Sequence, residues 1–241
     1  MNILKAAGLI LLGAVAVTLV SQRYVLAAVL APHMIFDEIG QGVFVDGSLA
    51  ERDRHDLLED ITAAQERIAA LYGPTRARPR ILVLATEEQG RTYGVPEPAP
   101  AQPYSVPWGT YILLKPRGRN VDVIAHEIVH AEVADRVGYL AYVLDVPVWF
   151  NEGLAMQVDH REEKIWRYLQ EGRPLPPVST LASGSMFFSG DQAYHYAAAQ
   201  VEVARWLAAG DQVEQAGRVY AFLAALREGE EFSSIYSSIK P

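Results

Sequence analysis

The sequence predicts an α+β fold, with a small sheet in the N-terminal half and a mainly helical C-terminal half. Three observations carry that prediction. Short apolar segments bounded by turn residues, such as Arg80 to Ala85 and Tyr111 to Leu114, lie in the first 115 residues. From Asn120 onward, apolar residues recur at helical spacing. The chain has 241 residues, half of them hydrophobic, which suits one compact domain plus a short extra segment.

The extra segment is the N-terminus. Ile3 to Val20 contains one charge, Lys5, and is long enough at ~1.5 Å per residue to cross a bilayer core. Ser21-Gln22-Arg23 interrupts it, and a second apolar run reaches Phe36, broken by Pro32 and His33. Residues 1–36 therefore read as a membrane anchor or signal-anchor segment, preceding a domain at residues 37–241. A cleaved signal peptide ending near Ala27-Ala28 or Ala31 would make the protein secreted, and a buried helix is a third reading. Lys5 before the span and Arg23 after it place the main domain of a single-pass protein outside the cytoplasm.

Gln41 to Val45 reads as a short strand ended by the Asp46-Gly47 turn. Leu57, Leu58, Ile61, Ala64, Ile68 and Leu71 mark one face of a helix over Leu49 to Tyr72, stopped by Gly73-Pro74. Arg80 to Ala85 is a buried strand. Gly94 to Gly109 reads as loop, since prolines at 96, 98, 100, 103 and 107 interrupt regular pairing. Tyr111 to Leu114 is a further strand. Asn120 can cap a helix running to Val137, ended by Gly138. Pro147 can open another helix through Val158. Arg161 to Gln170, Tyr196 to Ala209 and Val213 to Arg227 read as further helices.

Composition removes several function classes. There are no cysteines, so any metal must be held by His, Asp, Glu or water. The net charge of −8, with no basic run, argues against nucleic acid as a partner. Nothing in the sequence addresses oligomeric state.

His126-Glu127-Ile128-Val129-His130 lies inside the Asn120–Val137 helix. Residues four apart stand one above the other on a helix face, so both imidazoles can meet one metal ion. Glu127 is angled away from ligation but within reach of a metal-bound water. The HExxH spacing thus yields two ligands and one general base from a single helical turn. Val123, Ile124, Ile128 and Val129 make this helix too apolar for the surface, so the imidazoles need a partner. Trp149-Phe150-Asn151-Glu152-Gly153-Leu154-Ala155 then places a carboxylate in apolar surroundings, where it is costly unless paired or metal-bound. His33, His55 and His160 have no ligand-like spacing.

HExxH followed by W-x-N-E-G-x-A resembles the gluzincin metallopeptidases, over about Gly109 to Leu207. The resemblance implies a zincin-like domain holding one zinc ion through His126, His130 and Glu152. It implies peptide-bond hydrolysis by a zinc-activated water with Glu127 as general base, acting on a peptide or protein substrate. It further implies an edge strand for substrate, a position held by Tyr111 to Leu114, and a tyrosine hydrogen-bonding the oxyanion. Tyr196 fits the last role through the face it shares with Ala199, Val203 and Leu207; Tyr194 and His195 are alternatives. One departure stands out. Thermolysin-like members carry an Asp four residues after the ligand Glu, and here that residue is Met156. Asp122, Asn151 or Asp159 must then orient a ligand histidine, and the likeness is to shorter peptidase-MA-like proteins. A different reading keeps the fold and the zinc without turnover, as a catalytically inactive membrane-tethered scaffold.

Overall fold

The computed structural model describes residues 22–161, 172–208 and 212–239. Its first half contains α1 (Arg23–Leu30), a 3-10 turn (Ala31–His33), β1 (Phe36–Gly40), β2 (Val43–Asp46), α2 (Glu51–Tyr72), β3 (Arg80–Val83), α3 (Glu87–Thr92), β4 (Ala101–Val106) and β5 (Gly109–Leu114). The strands form one mixed sheet in the order β1-β2-β3-β5-β4. The inner three run parallel, while β1 and β4 flank them antiparallel. The parallel β2–β3 step requires a crossover, which α2 supplies. Helix-covered on both faces, β3 and β5 read as unbroken apolar runs. Ile81, Val83, Ile112 and Leu114 face the main core with α2; Leu82, Leu84, Tyr111 and Leu113 face a second, smaller core.

That second core corrects the expectation at the N-terminus. No helix among the described residues is long and apolar enough to cross a membrane, so the expected transmembrane helix and the single-pass location built on it are not found. The first apolar run, Ile3 to Val20, lies outside the described residues. The second belongs to the folded body. Its helix, α1, has 8 residues, about 12 Å of rise against the ~30 Å of a bilayer core. Pro32 sits in the 3-10 turn that follows. Ala28, Ala31 and Phe36 are buried with Phe44, Leu82 and Leu84 on the sheet.

The Pro-rich stretch is also more regular than expected. Ala101–Val106 pairs residue by residue with β5, Pro103 lying opposite Ile112. A proline is tolerated because β4 has a strand partner on one side only. Among the described residues β4 is therefore one edge of the sheet and β1 the other, and Tyr111 to Leu114 is an inner strand. The Thr86–Gln89 capping box that starts α3 also lies in a stretch read without a helix.

The second half contains α4 (Val121–Val137), α5 (Tyr139–Leu144), α6 (Val148–Ala155), a 3-10 turn (Val178–Leu181), α7 (Gly184–Phe187), α8 (Gln192–Ala208), α9 (Gln212–Arg227) and α10 (Phe232–Ile239). Asn120 caps α4 by accepting from the Val123 N–H at 3.1 Å. Gly138, at φ 84°, ends it and leads directly into α5, which the sequence did not reveal. The expected helix after Pro147 stops at Ala155, three residues early. The expected Arg161–Gln170 helix lies outside the described residues beyond Arg161. An unexpected last helix, α10, completes an aromatic cluster of Trp149, Phe150, Trp206, Phe222, Phe232 and Tyr236.

Helix α4 runs between α2, α6, α9 and the strands β4 and β5. It is buried on every face from Val123 to Ala134. Glu132, one of its polar residues, has its carboxylate fully used. It accepts from the backbone N–H of Arg76 at 2.9 Å, that of Ala77 at 2.7 Å and Arg136 Nε at 2.5 Å. This bond set fixes α4 against the chain leading into β3. Replacing Glu132 by Ala removes the acceptor of two backbone N–H groups, the Ala77 one buried, and of the partly buried Arg136 guanidinium. It should lower stability by about 3 kcal/mol, measured as a shifted urea midpoint at unchanged slope.

Candidate metal centre

Helix geometry sets the first part of the site. His126 and His130 project from one face of α4, their ring centroids 4.8 Å apart and nearly perpendicular. Helix α6 carries Glu152 to them. Glu152 Oε2 lies 3.3 Å from His126 Nε2 and 3.6 Å from His130 Nε2. One ligand atom from each of the three residues falls within 4.8 Å of the others, and all three residues are buried.

This group can hold a metal ion, and three observations fit it to one. Imidazole and carboxylate ligands bind a tetrahedral ion at about 2.0–2.2 Å, which puts neighbouring ligand atoms about 3.3–3.6 Å apart. The two measured spacings match. Glu152 Oε2, although flanked by two imidazoles, has hydrogen-bond geometry with neither and no other partner. A buried oxygen without a donor is costly, and an ion equidistant from it and both Nε2 atoms would remove that cost. The donor set, two imidazoles and one carboxylate, leaves a tetrahedral ion one further position.

Glu127 is close enough to the three residues for each to act on its charge. It is 7 % exposed, and its Oε2 also has no hydrogen-bond partner. Burial pushes its carboxyl pKa up, partly opposed by His126 and His130. Burial also works on Glu152, but the two imidazoles reverse it and hold that carboxyl at about 2. Conversely, burial disfavours a charged His126, yet Asp159 and Glu152 push it up to about 10. His130 is raised as well: burial opposes its charge and Glu152 outweighs burial. Charges of opposite sign thus compensate within the cluster.

Of the three candidates for an orienting group, Asp159 is the one that lies beside a histidine of the cluster. Its Oδ2 lies 3.1 Å from His126 Nδ1. Arg161 grips both Asp159 oxygens, with Nε 2.8 Å from Oδ1 and a second contact from Nη2 to Oδ2. Asp122 is instead paired with Arg67 at 2.5 Å. Asn151 Nδ2 donates to the Tyr142 hydroxyl at 3.1 Å. Tyr196 turns its ring toward His126, 6.4 Å between centroids. Its neighbours are engaged elsewhere: His195 Nδ1 sits 2.7 Å from the Phe187 carbonyl oxygen, and Tyr194 lies under the Arg173 guanidinium.

Two contributors were invisible in the sequence. Tyr142 belongs to the unpredicted α5; burial pushes its phenol up to about 12, with Glu152 and Glu127 adding to the shift and a hydrogen bond to Ser105 opposing it. Arg161 acts through Asp159, and no sequence spacing connects either to His126. A different residue, Gly153, explains why Glu152 reaches the histidines. A Cβ there would stand 2.5 Å from Val203 Cγ2 and 2.6 Å from the Ala199 carbonyl oxygen, so only glycine lets α6 lie this close to α8.

Comparison of the chain with protein-family models, with curated proteins and with solved structures finds no match.

Two substitutions test this geometry. Gly153→Ala should force α6 off α8, lowering stability by about 1–3 kcal/mol and weakening metal affinity by at least about tenfold; thermal melts and competitive chelator titration read the two effects. Asp159→Asn keeps the shape but removes the charge behind His126. It should weaken metal affinity about 10–100-fold while shifting the melting temperature little.

Proposed function

We propose that the chain is a zinc-dependent peptidase of the gluzincin type, with His126, His130 and Glu152 as metal ligands and Glu127 as general base. The single observation that carries this reading is the unpartnered Glu127 Oε2 near a buried His-His-Glu group. A bound zinc ion supplies Lewis acidity toward a carbonyl oxygen and lowers the pKa of water to about 7. The chain's residues supply the rest. Glu127 takes a proton from the attacking water and delivers it to the departing amine. Tyr196, a phenol protonated at neutral pH, donates to the oxygen that gathers charge in the transition state. Asp159, held by Arg161, keeps the His126 ring oriented.

The sheet edge supports a polypeptide substrate. The HExxH helix packs against β4, and an extended chain can add to that edge through backbone hydrogen bonds. This moves the expected substrate strand from Tyr111–Leu114 to Ala101–Val106.

The decisive comparison uses the full chain and its Glu127→Gln and His126→Ala variants. Glu127→Gln should keep about one zinc per chain by elemental analysis while hydrolysis of a casein substrate falls by a factor of about 10² or more. His126→Ala should lose both. Hydrolysis retained in Glu127→Gln would remove the general-base assignment. Zinc bound without hydrolysis by the unmodified chain would favour the inactive scaffold.

A further inference from the structure

Three uncharged segments border the metal cluster in a chain of which 21 % is charged: residues 101–114, 137–144 and 174–190. Each meets the site through a defined contact. Tyr142 of α5 holds Asn151, the neighbour of Glu152, and also meets Ser105 of β4. Phe187 of α7 packs edge-on against Tyr196 at 5.0 Å. While these inner residues face the site, their neighbours face solvent. Trp108 in the β4–β5 turn is 65 % exposed, and Leu140 and Leu144 on α5 are 70 % and 75 % exposed. Met186 of α7 and Phe188 just after it are exposed as well. Single exposed apolar residues are ordinary, but Trp108, Leu140 and Leu144 stand on two elements that meet at Tyr142 and Ser105, and such a group marks a binding surface.

We propose that this rim selects the substrate: the β4 edge takes extended polypeptide segments bearing large apolar side chains and disfavours acidic ones. The inference rests on the peptidase reading for its catalytic consequence, though not for binding. Among the described residues, the outer edge of β4 has no strand partner, and its backbone groups can pair with an added extended polypeptide. Side chains of such a segment alternate in direction, so some must face the β4–α5 rim. There, apolar groups gain by leaving water, whereas carboxylates would lose hydration with no basic residue in the three segments to compensate. The chain's net charge of −8 adds repulsion in the same direction.

The test uses the full chain carrying Glu127→Gln, which separates binding from cleavage. Two fluorescent decapeptides are titrated by anisotropy, one alternating Leu and Ser, the other Glu and Ser. The Leu peptide should bind at least about tenfold more tightly. Adding Leu140→Ser and Leu144→Ser, both at exposed positions, should reduce that preference at least about fivefold with the melting temperature preserved. Equal binding of the two peptides would overturn the inference. So would a preference unmoved by the rim substitutions, with those substitutions instead abolishing self-association or binding to phosphatidylcholine vesicles. Failure of the peptidase reading looks different: the Leu peptide is bound through the rim but never cut by the unmodified chain.

Discussion

The structure depends on a helix that is buried on every face and yet carries four ionisable side chains through its middle. Residues 126, 127, 130 and 132 of α4 are all 3–7 % exposed, so each must find a partner within the protein. Two glutamates five residues apart are treated in opposite ways. Glu132 accepts three hydrogen bonds and ties the helix to the strand layer. Glu127 keeps an oxygen without any donor. A fold that satisfies one buried carboxylate completely has the means to satisfy the other. The contrast separates a carboxylate used in packing from one that keeps an unpaired oxygen.

The partner helix α6 is built around the same demand, and each residue of its W-x-N-E-G-x-A segment has a separate task. Trp149 joins the aromatic cluster, 5.4 Å from Tyr236, and seats the helix. Asn151 holds Tyr142 and so ties α5 to the site. Glu152 meets the two imidazoles. Gly153 removes the side chain that would separate α6 from α8. Ala155 is fully buried where the helix ends. Two aromatic contacts of Phe150, to Phe222 and Phe232 at 5.0 and 5.1 Å, brace the opposite face. Precision at Glu152 therefore comes from packing tens of residues away in sequence, through α9 and α10.

Local signals made part of this legible. The Asn120 cap, the Gly138 stop and the four-residue spacing of His126 and His130 are properties of one helix, and the helix follows them. The Glu152 spacing became readable because a carboxylate in an apolar segment needs a counter-charge. What stayed hidden depends on tertiary partners. β4 was obscured because Pro103 forbids pairing on two sides, and only the sheet order shows that one side suffices. The stretch after Arg23 looked like an apolar segment bound for lipid, since nothing local tells an alanine packed on a sheet from one facing a bilayer. Tyr142 lay in six residues too short to show a helical period.

Asp159 reaches His126 by a route unlike the thermolysin-like pattern that the sequence resembles. In the thermolysin-like pattern an Asp one helical turn beyond the ligand Glu supports a histidine, which requires the helix to continue through that turn. Here α6 ends at Ala155, and the corresponding residue, Met156, is buried against Ala197 and Tyr196. The chain leaves the helix at that point, its Met156 N–H still bonded to the Glu152 carbonyl. Asp159 then arrives from non-helical backbone three residues later, 3.1 Å from His126 Nδ1. A loop carboxylate lacks the rigidity that a helix would give it. Arg161 supplies it instead by gripping both oxygens, its own backbone N–H bonded to Oδ1 at 3.1 Å. A planar guanidinium is suited to this, because its fork fixes a carboxylate in orientation as well as position. The short helix and Arg161 thus belong together, and neither explains the His126 environment without the other.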